Sequence, residues 1–247
     1  MGKIVAIGGV TPPSTLDLID KEIIKLTDKK SPKVLYIPTA GGDKLAQCEF
    51  FKGIYEGRLG CRVDILFLIR ETPTEDEIKE KIFSSDILYI EGGSISKLMH
   101  YFKKFNMEKI LEAAYEQGIV LAGKSAGALC WGQCYFENHD TEGPENNKYN
   151  NYMDVVCMKF LDFIICPHYN LEGYNCKMEE MIKAHNLIGI GLDNNCAMIV
   201  ENDNYRIIAT HENANAYKVF ANGTGINKEI ISKHSNYRNL NELLQIF

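Results

Sequence analysis

The sequence predicts an α/β fold in which a mostly parallel β-sheet carries helices on both faces. Short, nearly continuous apolar runs alternate with longer segments whose apolar residues have helical spacing. Strands that are apolar throughout are typical of a parallel sheet that is covered on both sides. With 247 residues, 45% of them hydrophobic, the chain is long enough for such a core, and we expect a single domain over residues 1–247.

The predicted elements follow one another with little interruption over the first half of the chain. Strands are predicted at 3–9, 33–37, 62–68, 86–90 and 118–122, and helices from about 14, 44, 74, 95 and 107. Ser14 is the expected N-cap of the first helix. Thr74 and Glu77 have the spacing of a capping box, which indicates that a helix begins there.

The second half of the chain is less regular. A polar, turn-rich segment at 137–154 is long enough to fold over a site, although a solvated surface insertion explains it equally well. An apolar strand at 161–166 then ends at Pro167-His168, and a helix covers about 175–185. Four further strands are expected to extend the sheet edge in antiparallel fashion, at 188–192, 197–201, 205–211 and 216–221. A short helix follows Asn239.

Composition excludes several classes of protein. The net charge of −6 disfavours a nucleic-acid-binding surface, which usually needs a basic face. No apolar run is long enough for a membrane span, and the first residues lack the pattern of a signal peptide. The eight cysteines form no C-x-x-C pair and mostly lie in apolar runs, as expected in a reducing compartment. We therefore expect a cytoplasmic protein without a metal or cofactor.

The candidate nucleophile is Ser125, in the run Gly123-Lys124-Ser125-Ala126-Gly127 between a predicted strand and a predicted helix. G-x-S-x-G at such a turn is a nucleophile elbow, in which glycines permit close approach of the backbone and the serine hydroxyl is exposed. Amide groups at the helix start suit a developing oxyanion. The alternative is a glycine-rich turn that contains a serine by chance.

A serine nucleophile needs a base and a group that orients the base. Of the six histidines, His168 is the best candidate because it directly follows a buried strand at the expected sheet end. Asp193 at a later strand end and Asp140 in the polar segment could each orient it. Glu91 is a third choice, although it could instead bind a substrate amine. Each acid could also be an ordinary turn residue.

The oxyanion needs two convergent donors. Ala126, which follows the nucleophile, is the first expected donor, and Gly92 or Gly93 supplies the second. A phosphate-binding loop at Gly92-Gly93 is disfavoured, because neither a dinucleotide-binding nor a P-loop pattern accompanies it.

These residues together resemble the peptidase E family of serine peptidases, which includes aspartyl dipeptidase and, more distantly, cyanophycinase. The likeness covers roughly residues 1–200. The motifs that carry it are Ile7-Gly8-Gly9, Pro38-Thr39-Ala40, Gly92-Gly93-Ser94, Gly123-Lys124-Ser125-Ala126-Gly127-Ala128, Pro167-His168 and Gly189-Ile190-Gly191-Leu192-Asp193. The resemblance implies a flavodoxin-like or class I glutamine amidotransferase-like fold. It also implies Ser125 as nucleophile, His168 as base, and Gly92 or Gly93 with Ala126 as the oxyanion hole.

The chain departs from the family pattern at four positions. Glu91 replaces a third glycine, Ser94 replaces Asn or Asp, and Lys124 replaces an aromatic residue before the serine. Asn194 stands where aspartyl dipeptidases have a glutamate placed as the acid of the triad. The acid is then one of the two aspartates named above, or it is absent. These departures bear on aspartyl-dipeptide specificity more than on hydrolase chemistry.

The sequence therefore predicts a serine-type peptidase that acts on small peptides, as a dipeptidase or a short-peptide aminopeptidase. Whether it prefers an N-terminal acidic residue is left open. Lys124 could favour an acidic group on the substrate. The sequence leaves the oligomeric state open, and a homodimer is among the states that it allows. The alternative is a catalytically silent member of the same fold that binds a small ligand or a protein partner. An α/β-hydrolase esterase is disfavoured because an H-G-G-G-type loop is missing.

Overall fold

A computed structural model describes residues 2–11, 16–138, 152–223, 225–234 and 236–246. Most of the polar segment, including the expected site residue Asp140, lies outside the described residues. The predicted helix cap Ser14 does so as well.

Among the described residues, the main sheet has eight strands, five of which are parallel and lie side by side. These are β1 (Lys3–Ile7), β2 (Lys33–Ile37), β3 (Arg62–Ile65), β4 (Ile87–Ile90) and β5 (Val120–Lys124), in the spatial order 1-5-4-2-3. Three antiparallel strands continue the sheet beyond β1, namely β10 (Cys196–Glu201), β11 (Asn204–Ala209) and β14 (Arg238–Asn239). The predicted mixed α/β fold with a large, mostly parallel central sheet is confirmed.

A second, four-stranded sheet accounts for the remaining long strands. It contains β8 (Ile164–Pro167), β9 (Gly189–Leu192), β12 (Ala216–Asn222) and β13 (Gly225–Ile231), in the order 13-12-9-8. The expectation that all four late strands extend the main sheet is therefore wrong for β9 and β12. Local apolar patterning identifies a strand but not its partner, which long-range packing decides. A separate hairpin pairs β6 (Cys134–Asn138) with β7 (Tyr152–Val156).

Helices cover both faces of the main sheet, as predicted. Successive side chains of a strand point to opposite faces. Val5 accordingly joins one core with α1 (Asp17–Lys25) and α2 (Leu45–Tyr55), and Ile4 joins the other with α3 (Glu75–Phe83), α4 (Ile95–Lys104) and α5 (Met107–Glu116). The remaining helices are α6 (Ala126–Leu129), α7 (Tyr174–His185) and α8 (Leu240–Leu243). The predicted Thr74 capping box is present at the start of α3.

The carboxyl ends of three adjacent strands converge at one place. The registers Ile7↔Lys124 and Ile90↔Gly123 bring the ends of β1 and β4 to the two sides of the β5 end. Ligand sites of open α/β sheets lie at this edge. Within the described part of the chain, no helix has the combination of length and apolar character that a bilayer span requires.

Candidate active site

Ser125 lies in a strained turn between β5 and α6. Its φ of 54° and ψ of −116° are unusual for a residue with a side chain. A Cβ on Gly123 would lie 1.9 Å from the Gly127 carbonyl oxygen, and one on Gly127 would lie 2.2 Å from the Ile90 carbonyl oxygen. The elbow therefore closes only with glycine at both positions. Ala126 begins α6, so its N–H belongs to the first helical turn, which has no acceptor within the helix.

His168 follows β8 of the second sheet and contacts Ser125 across the boundary between the two sheets. Its backbone N–H donates to the Gly8 carbonyl oxygen at 2.9 Å, which anchors the end of β8 to the end of β1. Its Nε2 lies 2.9 Å from Ser125 Oγ. The two residues expected to be nucleophile and base are thus within hydrogen-bond distance.

The partner of the other ring nitrogen is Asn194. Asn194 Oδ1 lies 2.6 Å from His168 Nδ1. Because an amide oxygen can only accept, Nδ1 carries the proton and Nε2 presents a lone pair to the serine hydroxyl. The backbone N–H of Asn194 donates to Asn170 Oδ1 at 2.9 Å, which holds the asparagine in place. Sequence reasoning identified position 194 only as the place of a missing acid.

None of the three acids considered from the sequence is seen to orient His168. Asp193 Oδ2 instead accepts from the Asn215 backbone N–H at 2.9 Å and lies 3.5 Å from the Tyr217 hydroxyl. The expectation for Asp193 is therefore corrected, because the backbone after β9 directs residues 193 and 194 to different neighbours. Burial raises the pKa of Asp193. Glu91 is held elsewhere, as described next, and Asp140 lies outside the described residues.

Glu91 and Lys124 form an ion pair beside Ser125. Glu91 Oε1 lies 2.8 Å from Lys124 Nζ and accepts from the Gly92 N–H, also at 2.8 Å. Glu91 Oε2 accepts from the buried Tyr36 hydroxyl at 2.7 Å. Glu91 as a residue is only 8% exposed, and these three donors satisfy its carboxylate. The N–H of Gly92, an expected oxyanion donor, is therefore already occupied by Glu91.

The electrostatic surroundings keep His168 neutral. Burial lowers its pKa below the ordinary range, and the positive charge of Lys124 lowers it further. The hydrogen bond to Asn194 acts in the opposite direction. At neutral pH the imidazole is therefore in the form that can accept the Ser125 proton.

Two glycines bring backbone close to these side chains. A Cβ on Gly92 would lie 3.0 Å from Ser125 Cβ, so a side chain there would press against the Ser125 side chain. A Cβ on Gly9 would lie 2.3 Å from Asn194 Oδ1 and 2.4 Å from His168 Cε1. Sequence reasoning gave Gly9 no role in the site. The available signal was the Gly8-Gly9 pair at the end of the first strand.

Comparison with known proteins identifies relatives of this chain. The sequence model of Peptidase family S51 matches residues 4–208. The chain is 27% identical over 227 residues to the "Uncharacterized peptidase YgaJ" of Bacillus subtilis (strain 168), which covers 89% of this chain and 92% of that protein.

Solved structures show the same fold. The crystal structure of a peptidase from an acI-B1 Actinobacterium superposes with a TM-score of 0.72 at 18% identity, over 97% of both chains. A candidate peptidase E protein from Listeria monocytogenes EGD-e gives a TM-score of 0.63 at 20% identity, over 85% of this chain and 100% of that one. The family match extends over most of the chain. The chain therefore belongs to peptidase family S51, the peptidase E family, and is a serine peptidase.

Proposed function

We propose that the protein hydrolyses short peptides through Ser125, His168 and Asn194. The observation that carries this proposal is the continuous pair of contacts from Ser125 Oγ to His168 Nε2, 2.9 Å, and from His168 Nδ1 to Asn194 Oδ1, 2.6 Å. His168 takes the hydroxyl proton while Oγ attacks the peptide carbonyl carbon. It then gives that proton to the departing amine, which leaves an acyl ester on Ser125. Water, activated by the same imidazole, releases the acid.

Asn194 replaces the usual carboxylate in this proposal. A carboxylate would hold the tautomer and also stabilise the imidazolium that forms during attack. The neutral amide holds the tautomer but supplies less electrostatic stabilisation. Cysteine peptidases with a Cys-His-Asn arrangement use an amide in the same position. An asparagine is therefore compatible with turnover.

The oxyanion would be held by the Ala126 N–H together with an amide from Gly92 or Gly93. Ala126 lies at the start of α6, beside Ser125. The Gly92 N–H donates to Glu91 Oε1 in the free protein. Its use in catalysis requires that the substrate draw this carboxylate away. A substrate amine that binds Glu91 would do so.

The ion pair beside Ser125 supports short, charged peptides as substrates. Glu91 would receive the amino terminus of the peptide, and Lys124 would favour an acidic group. A dipeptide carries both charges within a few ångströms, so it matches this pair better than the uncharged interior of a long chain does.

The eight thiols are all free, which supports the cytoplasmic location predicted from composition.

The test is hydrolysis of X-Leu dipeptides and X-arylamides, including Asp-Leu, by the wild-type protein and Ser125→Ala. We expect turnover that is lost in the variant, with the preferred X reporting on Glu91 and Lys124. A fluorophosphonate probe should label the wild type and not Ser125→Ala. The replacement of the acid by Asn194 also motivates a second candidate, a silent ligand-binding member of the family. Absence of both turnover and labelling would favour that candidate and contradict the proposal.

A further inference from the structure

A second cluster of reactive side chains lies on elements that do not carry Ser125, His168 or Asn194. Cys134 lies on β6, Asp154 on β7, and His185 is the last residue of α7. The Cys134 Sγ, a carboxylate oxygen of Asp154 and a ring nitrogen of His185 all lie within 4.8 Å of one another. Three side chains from three elements thus direct different donor atoms to one point.

The local fold explains why they meet. In the β6–β7 hairpin, Asp154 pairs with Phe136, and Cys134 lies two residues from Phe136 on the same strand. Residues two apart share a face of the strand, so Cys134 and Asp154 are diagonal neighbours on one side. α7 packs on this side, where the His185 ring lies 5.8 Å from the Phe136 ring.

We propose that Cys134, Asp154 and His185 bind a divalent metal ion of the zinc class. Sulfur, nitrogen and carboxylate oxygen are the donors that zinc takes in proteins, and three protein ligands leave a fourth position for water. A thiolate and an imidazole select against magnesium and calcium, which prefer oxygen ligands throughout. The three ligands are separate from Ser125, His168 and Asn194.

The distance between His185 and Asp154 fits a shared ion. His185 Nε2 lies 3.1 Å from Asp154 Oδ2. That nitrogen is buried, yet its geometry with the carboxylate is not that of a hydrogen bond. Ligand atoms at about 2.0–2.3 Å from a tetrahedral ion are separated by about 3.2–3.8 Å, so the observed spacing is close to what a shared cation requires.

The buried position of Cys134 gives the ion a defined effect. A cysteine binds a metal ion as the thiolate, so a bound cation would displace the thiol proton and binding should weaken as the pH falls. The ion would also tie β6 and β7, the two strands that flank residues 139–151, to α7.

The experiment uses the full-length protein after treatment with a chelator. Cobalt(II) is added first, because a cobalt–thiolate bond gives a charge-transfer absorption, and zinc is then measured by competition with a chromophoric chelator. We expect one equivalent of either ion. Cys134→Ala should abolish the charge-transfer band, and His185→Ala should weaken zinc binding by about tenfold or more. Cys176→Ala, at an exposed cysteine outside the cluster, should bind as the wild type does.

Three results would overturn the proposal: no thiolate band in the wild type, a band that persists in Cys134→Ala, or zinc affinity that is unchanged in His185→Ala. Far-UV circular dichroism verifies that each variant is folded. If Cys134→Ala does not fold, the more exposed ligand Asp154 supplies the alternative variant, Asp154→Asn. The same loss of zinc affinity is then expected. Unchanged affinity in that variant would show that the cluster is only an ion pair beside a buried thiol.

Discussion

Replacement of Asn194 by aspartate should raise the pKa of His168 and move the pH profile of the enzyme. The change is nearly isosteric and replaces the amide oxygen that lies 2.6 Å from His168 Nδ1 by a carboxylate oxygen. An imidazolium beside a carboxylate is stabilised relative to the neutral ring, so the pKa rises. In the wild type, burial and Lys124 lower this pKa instead.

The size of the shift follows from the geometry. The contact of 2.6 Å places the two charge centres about 4 Å apart, where unit charges attract by about 4 kcal/mol at an effective dielectric constant of about 20. That energy corresponds to about 3 pKa units, and the cost of burying the new carboxylate reduces it. We therefore expect an increase of about 1 to 3 units.

Two assays measure the effect. The pKa of His168 is read by NMR from the imidazole resonances of wild type and Asn194→Asp. The acid limb of kcat/KM should move to higher pH by the same amount, because His168 must be neutral to act as base. Above that limb the variant should be the faster enzyme, since the carboxylate stabilises the imidazolium formed in the transition state.

Asn194→Leu is the matched control. Leucine cannot accept from Nδ1–H, so the plateau of kcat/KM should fall by about 100-fold or more without the upward pKa shift. An Asn194→Asp variant whose NMR titration and acid limb both coincide with those of the wild type would refute the reasoning. It would show that Asn194 does not contact the base in solution.

Further predictions concern stability and the elbow. Burial raises the pKa of Asp20, which accepts from Tyr55, to about 6. As the pH rises, Asp20 therefore ionises in the unfolded chain before it does so in the folded protein. The free energy of unfolding of the wild type should fall by about 3 kcal/mol relative to that of Asp20→Asn between about pH 4 and pH 6. Urea unfolding across that range measures this, and parallel curves for the two proteins would contradict it. Gly123→Ala should abolish labelling of Ser125, because its Cβ would lie 1.9 Å from a backbone oxygen. The control is Gly53→Ala, in α2, where a Cβ would meet open space; it should retain labelling and gain about 0.5–1 kcal/mol in stability. Full labelling of Gly123→Ala would disprove the steric argument.

Several features could be predicted because they depend on neighbours in the chain. The positions of α4, α5 and the Thr74 capping box follow from apolar spacing and capping chemistry over a few residues. The elbow has the same local origin, since Gly123 and Gly127 are needed for a turn whose contacts lie within five residues or on the adjacent strand. His168 was located by its place directly after a buried strand.

The hydrogen-bond partner of His168 Nδ1 depended on long-range geometry. Asp193 is the more obvious acid in the sequence, but its carboxylate contacts Asn215 and Tyr217, and the adjacent Asn194 contacts His168. Adjacent residues at a strand end face different neighbours, and the direction of each depends on backbone angles that no local pattern specifies.

The sequence by itself thus determined most of the strands and helices, the elbow, and the choice of Ser125 and His168, which meet at 2.9 Å. It did not indicate β6, β7, β13 or β14. Tertiary structure alone decided that β8 and β9 form a second sheet and that the end of β8 meets β1, where the His168 N–H donates to Gly8. It also decided that the Glu91 carboxylate occupies the Gly92 N–H. The physical reason is that strand pairing and side-chain direction depend on contacts between residues far apart in the chain, whereas helices, caps and tight turns are stabilised within a few residues.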